Sequence, residues 1–204
     1  MAPVTPKPEH VRHFPDRAAF EAWLAANHDR EIEIWLKIHK KGSGLPTVTV
    51  VEALDVALCW GWIDGLRKSL DDTSFLQRYT PRRPKSRWSQ INREHVKRLI
   101  ADGRMTPHGQ KQVDDARADG RWESAYASGS KMEFPADLLA AIEARPKAAK
   151  FFQTLNAANR YALVFRTDGM KTAAGREKKI KSFVDMLERG ETLYPNGSGA
   201  RKDT

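Results

Sequence analysis

The chain has 204 residues with a formal net charge of +9, and 40% of them are apolar, including six tryptophans and eight phenylalanines. That composition excludes a disordered polymer and suits one domain, or a domain with a helical appendix, able to bury a sizeable core. A single cysteine, Cys59, excludes an internal disulfide framework and any Cys-rich zinc site, and fits a reducing compartment. The first basic residues are followed by no apolar run and no window reaches the ~18 apolar residues of a membrane span, so neither a secretory signal nor an anchor is expected and the protein is read as cytoplasmic.

Residues 1–15 hold four prolines and read as an extended, mobile lead-in. Asp16 can cap a helix that carries Phe20, Trp23 and Leu24 on one face and ends near Asn27. EIEIWLKIHK then alternates as a strand, with Ile32, Ile34, Leu36 and Ile38 on one side and Glu31, Glu33, Trp35, Lys37 and His39 on the other. Trp35 on that polar side either covers a second layer or is displayed to a ligand. The Lys40–Gly44 loop is too short for a Walker A phosphate loop. Thr49 and Glu52 form a capping box for a mostly buried helix ending at Cys59, whose apolar neighbours mark an inert thiol.

Trp62–Leu70 and Thr73–Thr80 read as strands joined at an acidic Asp71-Asp72 turn. Asp64 and Arg78 are expected to face each other as an ion pair. Pro81 and Pro84 make PRRPKSRW a stiff exposed loop, and Ser89 caps a helix through Ala101 supported by a Glu94–Arg98 pair. Thr106-Pro107 starts the next helix, to about Ala118. Residues 119–134 show no period, and helices follow from Pro135, Pro146, Asn156 and Arg176. The expected fold is therefore α+β: a small antiparallel sheet of about three strands packed with helices, then a helical C-terminal half. The expected organisation is a domain over 16–133, a helical region over 134–190 packed on it, and a disordered tail over 191–204.

Between Arg78 and Arg104 there are nine Lys/Arg against Glu94 and Asp102, so 27 residues carry +7 of the +9. Cations interleaved with flat side chains suit phosphates and stacked bases, or an acidic protein surface. The candidate polyanion-binding residues are Arg78, Arg82, Arg83, Lys85, Arg87, Trp88, Arg93 and Lys97. Trp88 is either a hydrophobic staple or an exposed stacking platform. Trp62, Asp64 and Tyr79 form a second candidate, a pocket in which a carboxylate, Arg78 and aromatic walls converge; the alternative reading of these residues is packing of the sheet. The six histidines are scattered, His10 and His13 alone being close, so no metal site is expected, and no motif implies a cofactor or assigns a catalytic residue.

ALCWGWIDG (57–65), FLQRYTPRRPKSRWSQIN (75–92), the G-R-M-T-P-H-G run (103–109), DGRW (119–122), FFQTLNAANRYALVFR (151–166) and REKKI (176–180) together resemble the YdeI/OmpD-associated, or bacteriocin-protection, proteins over roughly residues 16–194. The family's last helix commonly begins Thr-Arg and has a second arginine just before the isoleucine, where this chain has Gly175-Arg176 and Lys179. A lysine does not reproduce an arginine's bidentate contact. The resemblance implies a role in protection against bacteriocins or antimicrobial peptides, or in envelope stress. It supplies no catalytic residues. The function expected is a non-enzymatic binding protein with a basic surface for a polyanion such as nucleic acid; the alternatives are an enzyme using the Trp62/Asp64/Arg78 pocket and a protein-interaction partner.

Overall fold

The computed structural model describes residues 4–127 and 133–196. The chain divides into two compact units, Met1–Ala125 and Tyr126–Thr204.

In the first unit a short 3-10 turn (Pro8–His10) leads into β1 (Val11–His13), α1 (Arg17–Asn27), β2 (Ile34–His39), α2 (Val50–Cys59), β3 (Trp62–Ser69), β4 (Ser74–Pro81), α3 (Gln90–Ala101) and α4 (Pro107–Ala118). The sheet has four strands in the order β1-β2-β4-β3, parallel between β1 and β2 and antiparallel elsewhere. The strand beyond the expected three comes from the lead-in read as mobile. Val11–His13 pairs with Trp35–Lys37, and Phe14 continues into the core, so strand pairing and burial hold what prolines alone suggested was loose.

Ile34, Leu36 and Ile38 enter the main core with Phe20, Leu24, Val56, Trp62 and Tyr79. Ile32, expected beside them, precedes the strand and is 76% exposed. Trp35 is fully buried on the opposite face of β2, so it is not displayed to a ligand. Between Asp64 and Arg67 the β3–β4 ladder shifts register. The buried side chain of Gln77 fills that irregularity, donating to Gly65 O at 3.0 Å and accepting from Arg67 Nε at 2.9 Å. A bulge leaves backbone groups without ladder partners, and a side-chain amide can serve both polarities at once.

Helix starts follow their capping residues: Asp16, Thr49, Ser89 and Thr106 each accept from the N3 backbone N–H. The Thr49–Glu52 capping box is complete. Glu94 bonds Lys97 at 2.8 Å and not Arg98, which turns to Asp55 on α2.

The second unit holds α5 (Ala136–Glu143), α6 (Pro146–Phe152), α7 (Ala157–Asp168) and α8 (Ala173–Glu188) around Leu138, Ile142, Phe152, Leu163, Phe183 and Leu187. Helix α8 begins three residues before the expected Arg176 because Thr172 caps it through Gly175 N. The segment read as a disordered tail is bound back through Asn196. Tyr194 N donates to the buried Asn159 Oδ1 at 3.0 Å, and Asn196 Oδ1 accepts from Asn156 N at 2.8 Å. The rest of that tail, 197–204, lies outside the described residues, as does Met132.

Candidate functional site

The basic segment does not form one continuous cationic face. Arg78 is committed to Glu33 through Nε at 2.7 Å and Nη2 at 2.6 Å, and His10 Nδ1 joins the same carboxylate at 2.9 Å. Burial would raise Glu33, but the bonds and charges of His10 and Arg78 outweigh it and hold the carboxyl below its ordinary range. The expected Asp64–Arg78 pair is thereby replaced. Arg82 is buried with its guanidinium 3.6 Å from the Trp88 ring centre, and Trp122 meets the same indole edge-on at 4.9 Å. Trp88 is 1% exposed, so the stacking-platform alternative is excluded and the residue is core. Arg93 lies 5.2 Å from the Trp122 ring, and Lys97 pairs with Glu94. Arg87 is half-buried, whereas Arg83 and Lys85 point outward.

The loop that carries Arg83 and Lys85 is held at several points. Arg82 N donates to Gly61 O at 2.9 Å, Ser86 Oγ accepts from Arg83 N at 3.1 Å, and Arg121 Nη1 donates to Ser86 O at 3.0 Å. Exposed cations carried on a fixed backbone leave less chain to be ordered on meeting an anion than those on a mobile loop do.

Trp62 and Tyr79 serve the core. Trp62 Nε1 donates to His28 O at 3.3 Å, and Tyr79 packs on Phe20 with its hydroxyl buried and without a hydrogen-bond partner among the described residues. Burial pushes the Tyr79 hydroxyl well above its usual range, and the nearby Asp64 adds to the shift. Asp64 stands opposite Tyr79 in the β3–β4 register. Desolvation by the surrounding protein raises its carboxyl even though the residue retains exposed surface, and the charges of Arg82 and Arg67 only partly offset this. The three residues are neighbours, yet two of them are buried as packing.

An opening lies instead where α1, α2, β4 and α4 end or begin. Gly61, at φ +75°, turns the chain from α2 into β3, and a Cβ there would meet His108 O at 3.0 Å. A Cβ on Gly109 would overlap the Cys59 carbonyl, to which Thr106 Oγ1 donates at 2.6 Å. This close approach of α4 to α2 brings three rings together. His28 and His108 are 4.0 Å apart, His28 and Trp60 4.9 Å, and Trp60 and His108 are near-parallel at 5.8 Å and 16°. They line a cavity of about 360 Å³ with Trp62, Arg82 and Gln112. A second hollow of about 350 Å³ shares Arg82 and Gln112 and reaches Pro84 and Arg121. The basic loop is thus the rim of a groove that follows α4.

His28, Trp60 and His108 escape a reading by periodicity because they sit at element ends, 80 residues apart between first and last. The available signal was punctuation: Trp60-Gly61 and the T-P-H-G run are both turn sequences. Cys59 beside them is buried, and burial pushes its thiol up to about 11, so it supplies no nucleophile. Among the described residues no group of three or more His, Cys, Asp and Glu could hold a metal ion.

In the second unit Arg176 makes the bidentate contact, at 2.6 and 2.9 Å to Asp137, with a further bond to Asp168 at 3.2 Å. Lys179 lies 5.6 Å from the Phe183 ring. The arginine therefore ties α5 to the start of α8.

Residues 131–190 match the family model described as Bacteriocin-protection, YdeI or OmpD-Associated. Over that stretch the chain is similar to that family. Residues 12–112 match a different model, described as Domain of unknown function (DUF8412). The groove's two histidines and Trp60 lie under this second match, outside the YdeI/OmpD-associated segment, and so do the strings ALCWGWIDG and FLQRYTPRRPKSRWSQIN. No curated protein and no solved structure matches the chain. No helix among the described residues is long and apolar enough to cross a membrane.

Proposed function

We propose that this chain is a non-enzymatic binding protein in which the first unit engages a polyanion through the rim of the α4 groove. The match of residues 131–190 to the YdeI/OmpD-associated model supports a role in bacteriocin protection or envelope stress. One observation carries the reading: Arg83 and Lys85 are exposed on a loop fixed by the Arg82–Trp88 stack and the Arg121–Ser86 bond. Neither has an ion-pair partner among the described residues, whereas Arg78, Lys97 and Arg98 are neutralised by Glu33, Glu94 and Asp55. In the cytoplasm, where we place the protein, nucleic acid is the polyanion this rim would meet.

The test is fluorescence anisotropy of labelled oligonucleotides at low and at moderate salt, with the native chain and with R83Q/K85Q. Loss of two phosphate contacts should weaken binding and reduce the slope of log K against log salt by about 2. Unchanged affinity and slope would make the loop a solvated surface and end the proposal.

A further inference from the structure

We infer that the polyanion is a single-stranded nucleic acid, one of whose bases leaves the strand and lodges against Trp60 and His108. This rests on the polyanion reading of the same surface and makes it specific. The rings of Trp60 and His108 are stacked within 16° of parallel, and His28 meets both at a tilt, so this side of the cavity is aromatic. Its volume of about 360 Å³ lies in the ~300–1,000 Å³ range of small-ligand sites. The Gln112 amide at its edge both donates and accepts, so it can meet the polar edge of any base.

The adjoining hollow of about 350 Å³ leads from the cavity to Pro84, between Arg83 and Lys85 in sequence. A base in the first space sets its own sugar and phosphate toward the second, whose lining carboxylates Asp115 and Asp119 are paired with Lys111 and Arg121 and whose Pro84 edge belongs to the loop carrying the exposed cations. Lys111 adds little attraction, being paired with Asp115 at 2.9 Å, and Arg121 is paired with Asp119. The phosphate term falls on the loop and the base term on the rings. A duplex keeps its bases stacked and paired, and reaches the rings only by unpairing, whereas a single strand can splay one out.

The full-length protein is titrated, at one salt concentration, into labelled oligothymidylate, an abasic strand of the same length and charge, and a duplex. Oligothymidylate should bind roughly tenfold or more tightly than the abasic strand, the usual worth of one base–aromatic stack. It should also quench tryptophan fluorescence, which the abasic strand should not. His108 is exposed, so H108A keeps the core intact and should cut the preference for thymidylate, with W60L a second variant that retains apolar bulk. R83Q/K85Q should weaken the intact and abasic strands by the same factor. Equal, salt-sensitive binding of the intact and abasic strands would overturn the base site and leave the polyanion reading standing. Binding to none of the three would overturn both.

Discussion

The carboxylate of Asp55 is 6% exposed and receives Arg98 on both oxygens at 2.7 Å, His95 at 2.7 Å, and Arg104 at 3.8 Å. Burial would raise its pKa, but the hydrogen bonds and charges of Arg98 and His95 prevail and lower it. A carboxyl lowered in the folded state contributes stability above its unfolded value near 3.9, and that stability is lost as pH falls through the folded value. D55N should therefore cost about 2 kcal/mol at neutral pH, less than the ~3–5 of a wholly buried pair because Arg98 is half open to solvent. Urea denaturation across pH 3–7 would check this, since the variant's stability should also fall less steeply below about pH 4. Residue-level detail of this sort was hidden in the sequence. Net charge over 78–104 is countable, but Arg82 lies on Trp88 and Arg98 is drawn to an acid 43 positions earlier. Long-range partners leave no local pattern.

Elements were far more legible, because caps and apolar spacing act within a few residues. Asp16, Thr49, Ser89 and Thr106 all start helices where expected, and the β3–β4 hairpin turns at Asp71, whose carboxylate is held far below its usual range by Ser74 and Thr73. What local pattern could not supply is the seating of one element on another. The α2–α4 contact depends on Gly109 having no side chain, since a methyl there would strike the Cys59 carbonyl. G109A should destabilise the first unit by at least about 2 kcal/mol, as overpacking does, and disturb the groove by moving His108. G65A, with nothing nearer than 3.7 Å to the added carbon, should stay within about 0.5 kcal/mol. Thermal melts of the two variants side by side give the comparison, and equal melting temperatures would remove Gly109 from its seating role.

At the scale of the whole molecule, the α+β class and the helical second half followed from the order of elements, while the fourth strand did not. Three residues are too few to show alternation, and β1 exists because β2 offers it an edge. The division after Ala125 was equally hard to see, since Trp122 and Tyr126 straddle it with no linker composition. The second unit has its own core, from Leu138 to Leu187, and Asn159 holds the backbone of Tyr194. A fragment of residues 126–204 should accordingly show helical circular dichroism and one cooperative thermal transition. A broad, non-cooperative melt would mean that this unit depends on the other half of the chain.

Cys59 has a practical consequence. The chain's one thiol is buried and held largely protonated, so at neutral pH it is silent toward maleimides and other electrophiles. Any cysteine introduced at the surface, Lys85→Cys on the groove's rim for example, is then a uniquely addressable handle in an otherwise native background. Dyes, spin labels or photo-crosslinkers can be placed one position at a time, and whatever settles in the groove can be captured covalently without first stripping the protein of its own sulfur.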